Sequence, residues 1–303
     1  MSILVSVIFV SYNNRALTLK SIKSVFASKG ISKEQIEIIV VDNNSTDDTV
    51  SYLKKNYPQI KVIPNKKNIG FGAGNNQAAQ LARGRYLLFL NTDAFLSYDS
   101  LQIMVDVLEK QEGVVSVGPQ LRYPDGSIQL SGGYLPSPLK VIAWMWWLDR
   151  FPIIKKLFNK PYHVIDKTWH TKPQYPEWLM GACILLRRSE FLSVGGFDEK
   201  IFMYAEEVEL YHKLKKQVHK KIFFTPKTKV VHIGGASSKK ANAYRLIQEL
   251  KGIEYIYKKH YPQLLYFIKA VIFIGVILRV VAFSFIPSRH ETLIEYQKYF
   301  KSY

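Results

Sequence analysis

The first 117 residues alternate between short apolar runs and segments with helical periodicity. The apolar runs have the length of strands and cover Val5 to Val10, Ile36 to Val41, Lys61 to Ile63, Tyr86 to Leu90 and Val114 to Val117. The helical segments between them cover Leu17 to Phe26, Asp47 to Lys54, Gly74 to Ala82 and Leu101 to Leu108. Runs this apolar are typical of strands buried on both faces of a parallel sheet. The pattern predicts an α/β fold with a doubly wound, mostly parallel central sheet.

Polar side chains follow three of these runs. The first run leads into Ser11 and Asn13, the second into Asp42, and the fourth into Asn91 and Asp93. Because ligands of such sheets bind beyond the carboxyl ends of the strands, a polar crevice is expected at this edge. An Asp after a strand can also cap a turn or a helix, so its position alone leaves both roles open for Asp93.

A glycine-rich loop from Asn68 through Gly70 to Asn75 opens the third helical segment. It could bring backbone close to a ligand or simply permit a tight turn. The sequence has no GxGxxG after the first run and no GxxxxGK[ST], so neither a dinucleotide-binding fold nor a P-loop is supported.

The net charge of +18 and the pI of about 9.7 point to an anionic partner, namely nucleic acid, anionic lipid or a phosphorylated substrate. No nucleic-acid recognition motif accompanies the charge, so nucleic acid is not an expected partner. The single cysteine, Cys183, excludes an intramolecular disulfide framework and lies in an apolar run, where it is expected to be a small buried hydrophobe. The N-terminus lacks the basic region of a signal peptide, so a cytoplasmic location is expected.

Residues 264–286 form an apolar segment with only Lys269 and Arg279 as charged residues. As a helix it would be about 34 Å long, enough to cross a bilayer core. Burying Arg279 in hydrocarbon would cost about 2.5–3.5 kcal/mol, so an in-plane helix with both cations at lipid head groups is favoured, and a buried core helix stays open. The residues expected to enter the acyl boundary are Phe267, Ile268, Val271, Ile272, Ile274 and Ile277. The chain is accordingly divided into a domain of residues 1–240 and a helical, membrane-associating appendage of residues 241–303.

Periodicity fails from Tyr123 to Glu177, which predicts a flexible or substrate-covering segment. Its tryptophans Trp144, Trp146 and Trp147 suit a core, a membrane interface, or stacking on sugar or lipid.

Seven blocks of sequence, in order, resemble the family 2 glycosyltransferases of the GT-A fold, particularly their bacterial rhamnosyltransferase-like branch. The blocks are SVIFVSYNN, IIVVDNNSTDDT, NKKNIGFGAGNNQA, GRYLLFLNTDA, WLMGACILLRRSEF, GGFDEKIFMYAEEVEL and VVHIGGAS. The resemblance covers about residues 3–238.

The resemblance assigns roles to individual residues. Asp93 would be the metal-binding carboxylate of the family's DXD-like motif, and His232 the second protein ligand to Mn²⁺ or Mg²⁺. Glu207 falls at the position of the general base, with Glu206 beside it as the alternative. The nucleotide-sugar site would comprise Ser11, Asn13, Asp42, Asn68, Gly70, Asn75, Asn91 and Asp93, and the acceptor site Trp178, Gly181 and Ala182.

The resemblance therefore implies an inverting, metal-dependent transferase. The donor would be a dTDP- or UDP-linked sugar, and the acceptor a glycan or polyprenyl-diphosphate-linked sugar at the cytoplasmic face of the membrane, where the anionic surface is a further partner. The sequence departs from the family pattern at Thr92, usually Pro, and at Glu207, usually Asp. A catalytically silent module that binds glycan or polyprenyl phosphate is the alternative. On that interpretation Glu206, Glu207 and Glu209 only favour a helix N-terminus and His232 only ends a strand.

Overall fold

The computed structural model describes residues 2–151, 160–234, 242–286 and 290–300. Within these ranges the main sheet has eight strands in the order β3-β2-β1-β4-β9-β6-β10-β5, and β7 and β8 form a separate ribbon. The strands are β1 Val5–Ser11, β2 Ile36–Asp42, β3 Lys61–Pro64, β4 Tyr86–Leu90, β5 Ala94–Leu96, β6 Val114–Arg122, β7 Gly132–Gly133, β8 Trp178–Leu179, β9 Cys183–Arg187 and β10 Lys221–His232.

The helices cover both faces of this sheet. They are α1 Arg15–Phe26, α2 Thr49–Asn56, α3 Phe71–Leu81, α4 Ser100–Lys110, α5 Pro138–Met145, α6 Arg188–Ser193, α7 Glu206–Gln217, α8 Asn242–His260, α9 Leu265–Ser284 and α10 His290–Phe300. Before α2, Asp47 Oδ1 accepts the Thr49 N–H at 3.1 Å, while Asp48 pairs with Arg15.

The sheet is mixed, with a parallel half that was predicted and an antiparallel part that was not. β1, β2, β3 and β4 pair in parallel, and β6 pairs in parallel with β10. β9 runs antiparallel between β4 and β6, and β5 runs antiparallel to β10 at the edge. The five predicted strands all form, and the α/β prediction with a mostly parallel sheet is confirmed.

Alternate side chains of the central strands pack into two hydrophobic cores, one on each face of the sheet. In β4, Leu88 and Leu90 enter the core that contains Val7, whereas Leu87 and Phe89 enter the opposite one. Successive side chains point to opposite faces, and both faces are buried, so the runs are apolar throughout. Each fully buried side chain contributes roughly 1.5–3 kcal/mol to folding.

The C-terminal helices α8 and α9 pack onto the core that contains Leu87 and Phe89. Leu250 and Ile253 of α8 and Ile268 and Ile272 of α9 are completely buried in the same cluster as Phe89. The division of the chain at residue 240 stays a prediction.

Helix α9 corrects the expectation for Arg279. This side chain is only 5% exposed and donates to the carbonyls of Met145, Gly275 at 3.1 Å and Trp144 at 3.3 Å, so it caps the end of α5 instead of reaching lipid head groups. Its guanidinium also lies 4.8 Å from the centre of the Trp147 ring. In the described part of the chain, Pro262–Ser284 is one helical stretch that is long and apolar enough to cross a membrane, which by itself is weak evidence for a span.

The inward side of α9 brings a second correction. Ile268, Val271 and Ile272 were expected to enter the acyl boundary, but they are buried in the protein. Phe267, at 50% exposed, and Ile274, at 44%, do face outward, as expected.

The segment from Tyr123 to Glu177 contains more regular structure than its composition predicts. It supplies β7 and α5, and Trp146 donates its Nε1–H to the carbonyl of Val271 in α9 at 3.2 Å. Residues 152–159, on which the prediction of flexibility also falls, lie outside the described residues.

Candidate functional site

The turns after β1 and β2 are hydrogen-bonded to each other at the predicted polar edge of the sheet. Ser11 and Asp42 end their strands in register. The Asp42 carboxylate, 1% exposed, accepts the Ser45 N–H at 2.8 Å and the Ser45 hydroxyl at 2.6 Å. Asn13, with φ of +49°, accepts the Thr46 N–H on its Oδ1 at 2.7 Å. These bonds fix one side of the crevice by linking the two loops.

The glycine-rich loop is held against the segment that precedes α7. Gly70 has φ of +89°, and a Cβ there would lie 2.5 Å from the carbonyl oxygen of Phe202, so only glycine fits. Asn68 Oδ1 accepts the Gly70 N–H at 3.0 Å, and Asn43 donates to the Gly70 carbonyl, also at 3.0 Å. Asn43 was not predicted as a site residue, although it stands beside Asp42 in the sequence.

The side chains of Ser11 and Asn75, both predicted for the nucleotide site, form hydrogen bonds within the protein. The Ser11 hydroxyl is buried 3.2 Å from that of Thr18, and buried Asn75 donates to the carbonyl of Phe71, one turn earlier in α3, at 3.0 Å. Any contact of these two residues with a ligand stays a prediction.

Strand pairing places Asp93 beside His232. β5 begins directly after Asp93, and its first residue, Ala94, is paired with His232 at the end of β10. Asp93 Oδ1 lies 3.3 Å from His232 Nε2, and Asp93 Oδ2 accepts the Gly234 N–H at 3.2 Å. Asn91 Nδ2 lies 3.4 Å from the same His232 nitrogen. Asp93 and His232 are 4% and 6% exposed, so the pair is largely shielded from solvent.

Gln129 orients the imidazole of His232. Its Oε1 lies 2.8 Å from His232 Nδ1, and its side chain is buried. With the Nδ1 proton donated to Gln129, the lone pair of Nε2 points toward Asp93, the orientation that outer-sphere partners give to metal-binding histidines. No local pattern pointed to Gln129, which lies 103 positions from His232 in the chain.

The donor atoms here suit a divalent cation. A carboxylate oxygen and an imidazole lone pair face each other, and this arrangement is favourable when a cation lies between them. No cluster of three or more His, Cys, Asp or Glu side chains that could hold a metal occurs in the described ranges, so these two residues would supply only part of a coordination sphere.

Glu207 approaches the same region from the start of α7. Tyr204 and Ala205, just before the helix, both have left-handed backbones with φ of +68° and +70°, a conformation that costs non-glycine residues about 1–2 kcal/mol each. Glu207 Oε1 lies 3.4 Å from the Gly181 N–H, and the neighbouring Ala182 accepts the Asn91 N–H at 2.9 Å. Two adjacent residues therefore link the Glu207 carboxylate to the loop that carries Asp93.

The carboxyls of Glu206 and Glu207 differ in their protonation. Burial raises the pKa of Glu207 to about 7, and the negative charge of Glu249 also raises it. Burial and then the charge of Glu207 raise the pKa of Glu206 well above its ordinary value. The neutral form of Glu206 is thus favoured relative to an ordinary carboxyl, while Glu207 titrates where a general base is effective.

Glu209, the third acidic residue of the segment, has a structural role. It is fully buried and forms ion pairs with Lys213 at 3.2 Å, Lys259 at 2.7 Å and His260 at 3.2 Å. These contacts join α7 to α8, so the acidic segment does more than favour a helix N-terminus.

On the predicted acceptor side, only Gly181 contacts a candidate catalytic group. Trp178 is 5% exposed and donates its Nε1–H to the carbonyl of Tyr162 at 2.8 Å, and Ala182 is 1% exposed. Cys183 is a buried hydrophobe, as expected, and burial raises the pKa of its thiol.

The sequence model described as glycosyl transferase family 2 matches residues 6–207, from β1 through Glu207. The chain belongs to this family. It is a glycosyltransferase, and the seven blocks of sequence correctly identified it.

Named relatives place the chain near rhamnosyltransferases. It is 29% identical over 225 residues to the N-acetylglucosaminyl-diphospho-decaprenol L-rhamnosyltransferase of Mycobacterium tuberculosis, a match that covers 68% of this chain and 69% of the relative. It is 25% identical over 201 residues to rhamnosyltransferase WbbL of Escherichia coli K12, covering 62% of this chain and 70% of that protein. The predicted rhamnosyltransferase-like branch is confirmed.

Solved structures confirm the GT-A fold. GalNAc-T7, crystallised with UDP, GalNAc and Mn²⁺, matches 88% of this chain with a TM-score of 0.60 at 18% identity, and the chain spans 50% of its length. The mannosyltransferase PcManGT of Pyrobaculum calidifontis, in complex with GDP-Man and Mn²⁺, matches the whole chain with a TM-score of 0.58 at 15% identity, and 75% of that protein is covered.

Proposed function

We propose that this glycosyltransferase is inverting and metal-dependent. It moves a sugar such as rhamnose from a dTDP- or UDP-linked donor to a lipid-linked or polysaccharide acceptor in cell-surface glycan biosynthesis. The observation that carries the proposal is the buried Asp93–His232 pair, oriented by Gln129 and connected through Gly181 and Ala182 to Glu207. The name of the mycobacterial relative describes rhamnosyl transfer to a polyprenyl-diphosphate-linked sugar, and structural neighbours were crystallised with nucleotide ligands and Mn²⁺.

The donor lies at the rim of β1, β2 and β4. Asp93 and His232 would hold Mn²⁺ or Mg²⁺, and the imidazole ligand would favour Mn²⁺. A bound cation would offset the negative charge that develops on the nucleoside diphosphate leaving group. The loops fixed by Asp42 and Asn13 hold the nucleoside, and the loop at Gly70 brings backbone close to the donor.

Glu207 accepts the proton of the acceptor hydroxyl. As that oxygen forms its bond to the anomeric carbon, the bond from this carbon to the diphosphate oxygen breaks and the electron pair leaves with the diphosphate. One displacement from the side opposite the leaving group inverts the anomeric centre. The protein needs one base for this reaction, and Glu207, titrating near neutral pH, suits the role.

Donor binding tests the proposal directly. We expect one nucleotide sugar from a panel of dTDP-, UDP- and GDP-linked sugars to raise the Tm in the presence of Mn²⁺. At a hundredfold excess over Kd, binding stabilises the fold by about 2.7 kcal/mol, which corresponds to several degrees. The same donor with EDTA is the control. An unchanged Tm across the panel with both Mn²⁺ and Mg²⁺ would contradict the proposal.

We also propose that the protein lies on the cytoplasmic surface of the membrane through α9. The outward face of this helix is an apolar stripe at helical spacing, composed of Tyr266, Phe267, Phe273, Ile274, Ile277, Leu278, Val281 and Phe285. The opposite face packs against the core through residues such as Ile268, Ile272 and Val276. Because crossing the bilayer would pull these residues out of the core, the packing favours an in-plane helix, with exposed Lys258 available to anionic head groups.

Substitutions in the stripe test this placement without disturbing the core. We expect Ile274→Ser, Ile277→Ser and Val281→Ser in one variant to weaken binding to anionic liposomes at least tenfold in a flotation assay, since each side chain withdrawn from the acyl boundary forfeits roughly 1.5–3 kcal/mol. The matched control replaces Leu81 and Tyr98, which are exposed in the N-terminal part. Equal flotation of both variants would exclude the stripe as the membrane contact.

A further inference from the structure

A cavity of about 320 Å³ lies between β7, the segment around residue 163, α5 and α8. Its lining includes Leu130, Trp144, His163, Ile165 and Glu249. Its size is at the lower end of the range for small-molecule sites. Of these residues, only Trp144 was considered for a ligand contact from the sequence, where stacking on sugar or lipid was one of three roles left open for the tryptophans.

One wall of the cavity is polar and ordered. Glu249 Oε1 accepts the Tyr162 hydroxyl at 2.7 Å and lies 2.9 Å from His163 Nε2. Burial acts to raise the pKa of Glu249, but the contacts with His163 and Tyr162 outweigh it and hold the pKa below its ordinary value. The carboxylate is therefore ionised. Among the described residues both contacts are made to Oε1, so Oε2 is the oxygen that can accept a hydrogen bond from a ligand.

An aromatic ring lines the cavity beside these polar groups. The Trp144 ring centre lies 5.0 Å from that of His163 and 5.1 Å from that of Tyr162, so the indole is held in place by packing. Exposed Leu130 and Ile165 form an apolar rim. An indole beside an ionised carboxylate and an imidazole suits a ligand with one apolar face and several hydroxyl groups.

The cavity adjoins the candidate catalytic groups. The charge of Glu249 raises the pKa of Glu207 and that of His163 lowers it, so both side chains are within electrostatic range of the base. Leu130 directly follows Gln129, the residue that orients His232. The Trp144 carbonyl accepts a hydrogen bond from Arg279 of α9, the helix with the exposed apolar stripe. The cavity is therefore within electrostatic range of the base, and one of its lining residues, Trp144, is hydrogen-bonded to α9.

We propose that this cavity is the acceptor subsite and binds the terminal sugar ring of a lipid-linked acceptor. The apolar face of the pyranose packs against Trp144, and its hydroxyl groups bind Glu249 and His163, which presents the nucleophilic hydroxyl to Glu207. The lipid continues toward α9. This inference rests on the proposed function, because it assigns the acceptor of that reaction.

Steady-state kinetics of the Glu249→Gln variant test the inference. The probe is N-acetylglucosaminyl diphosphate with a short prenyl chain. We expect the acceptor KM to rise at least tenfold, since the amide lacks the charge that strengthens a hydrogen bond to the sugar hydroxyl. The donor Kd with Mn²⁺ should stay within twofold. Glu254→Gln, the same change on the same helix where Glu254 contacts Tyr299, is the matched control and should keep the wild-type KM.

A second variant covers the possibility that Glu249→Gln fails to fold. Ile165 is 41% exposed at the rim, so Ile165→Trp can be accommodated while it fills the cavity, and we expect it to raise the acceptor KM by a similar factor. A wild-type KM in either folded variant would overturn the subsite. If the wild-type protein transfers nothing to the probe, the proposed function fails first, and the subsite with it.

Discussion

Replacing Glu207 by Gln is expected to lower kcat for sugar transfer by roughly 10²–10⁴-fold, because the amide cannot accept the proton of the acceptor hydroxyl. The amide has nearly the shape of the carboxyl and keeps an oxygen for the Gly181 N–H, so the donor Kd should not change. Transfer measured at saturating donor and acceptor reports the effect.

The neighbouring carboxyl provides the matched control. Burial and the charge of Glu207 raise the pKa of Glu206, which favours its neutral form, so Glu206→Gln should retain most of the activity. If Glu206→Gln is inactive and Glu207→Gln turns over normally, Glu206 is the base.

The pH dependence gives a second measurement on Glu207. A base with a pKa of about 7 loses activity as the pH falls below that value, so kcat/KM should decline on the acidic side. The raised pKa also means that the ionised carboxyl disfavours folding, and this cost appears as the pH rises from the unfolded pKa, near 4.5, through about 7. Glu207→Gln should therefore be more stable than wild type at pH 8 by roughly 1–3 kcal/mol, with no difference near pH 4.

Replacing Asp93 by Asn is expected to reduce Mn²⁺-dependent donor affinity by about 10²-fold or more, because it removes the negative charge from the metal site. The amide oxygen can still accept the Gly234 N–H, so the fold should persist. Donor titrations by calorimetry with Mn²⁺ and with EDTA separate the metal-dependent part of the affinity.

Gln129→Leu tests the proposed metal site through a residue that contacts His232. The loss of the acceptor for the His232 Nδ1–H should weaken metal binding by about 10–100-fold, the usual effect of removing an outer-sphere partner.

Donor affinities that depend on Mn²⁺ equally in the wild-type and Asp93→Asn proteins would contradict the metal assignment.

The sequence alone determined the parallel half of the sheet and the position of its polar rim. Strands such as β4 are buried on both faces, so their composition reveals them without any partner. Strands that run in parallel end at one edge, and this places Asn13, Asp42 and Asp93 at the same rim. Resemblance to the family then singled out His232 and Glu207, whose local sequences alone left their roles open.

Tertiary structure decided which side chains meet. The contact between Asp93 and His232 depends on β5 turning back to pair with β10, and the orientation of His232 depends on Gln129, 103 positions away. Glu249 and His163 form the wall of a cavity only because α8 packs across the sheet. No local pattern encodes such pairings, since they arise when distant segments share a core.

Helix α9 shows the same division most clearly. Its sequence determined that it is helical, apolar and about 30 Å long. A spanning helix, an in-plane helix and a core helix can all have that composition. The choice depends on where Arg279 finds acceptors, and these are carbonyls at the end of α5, more than 130 positions earlier in the chain. Burying a guanidinium is costly unless it is hydrogen-bonded, so this contact fixes which face of the helix turns inward and leaves the apolar stripe outside.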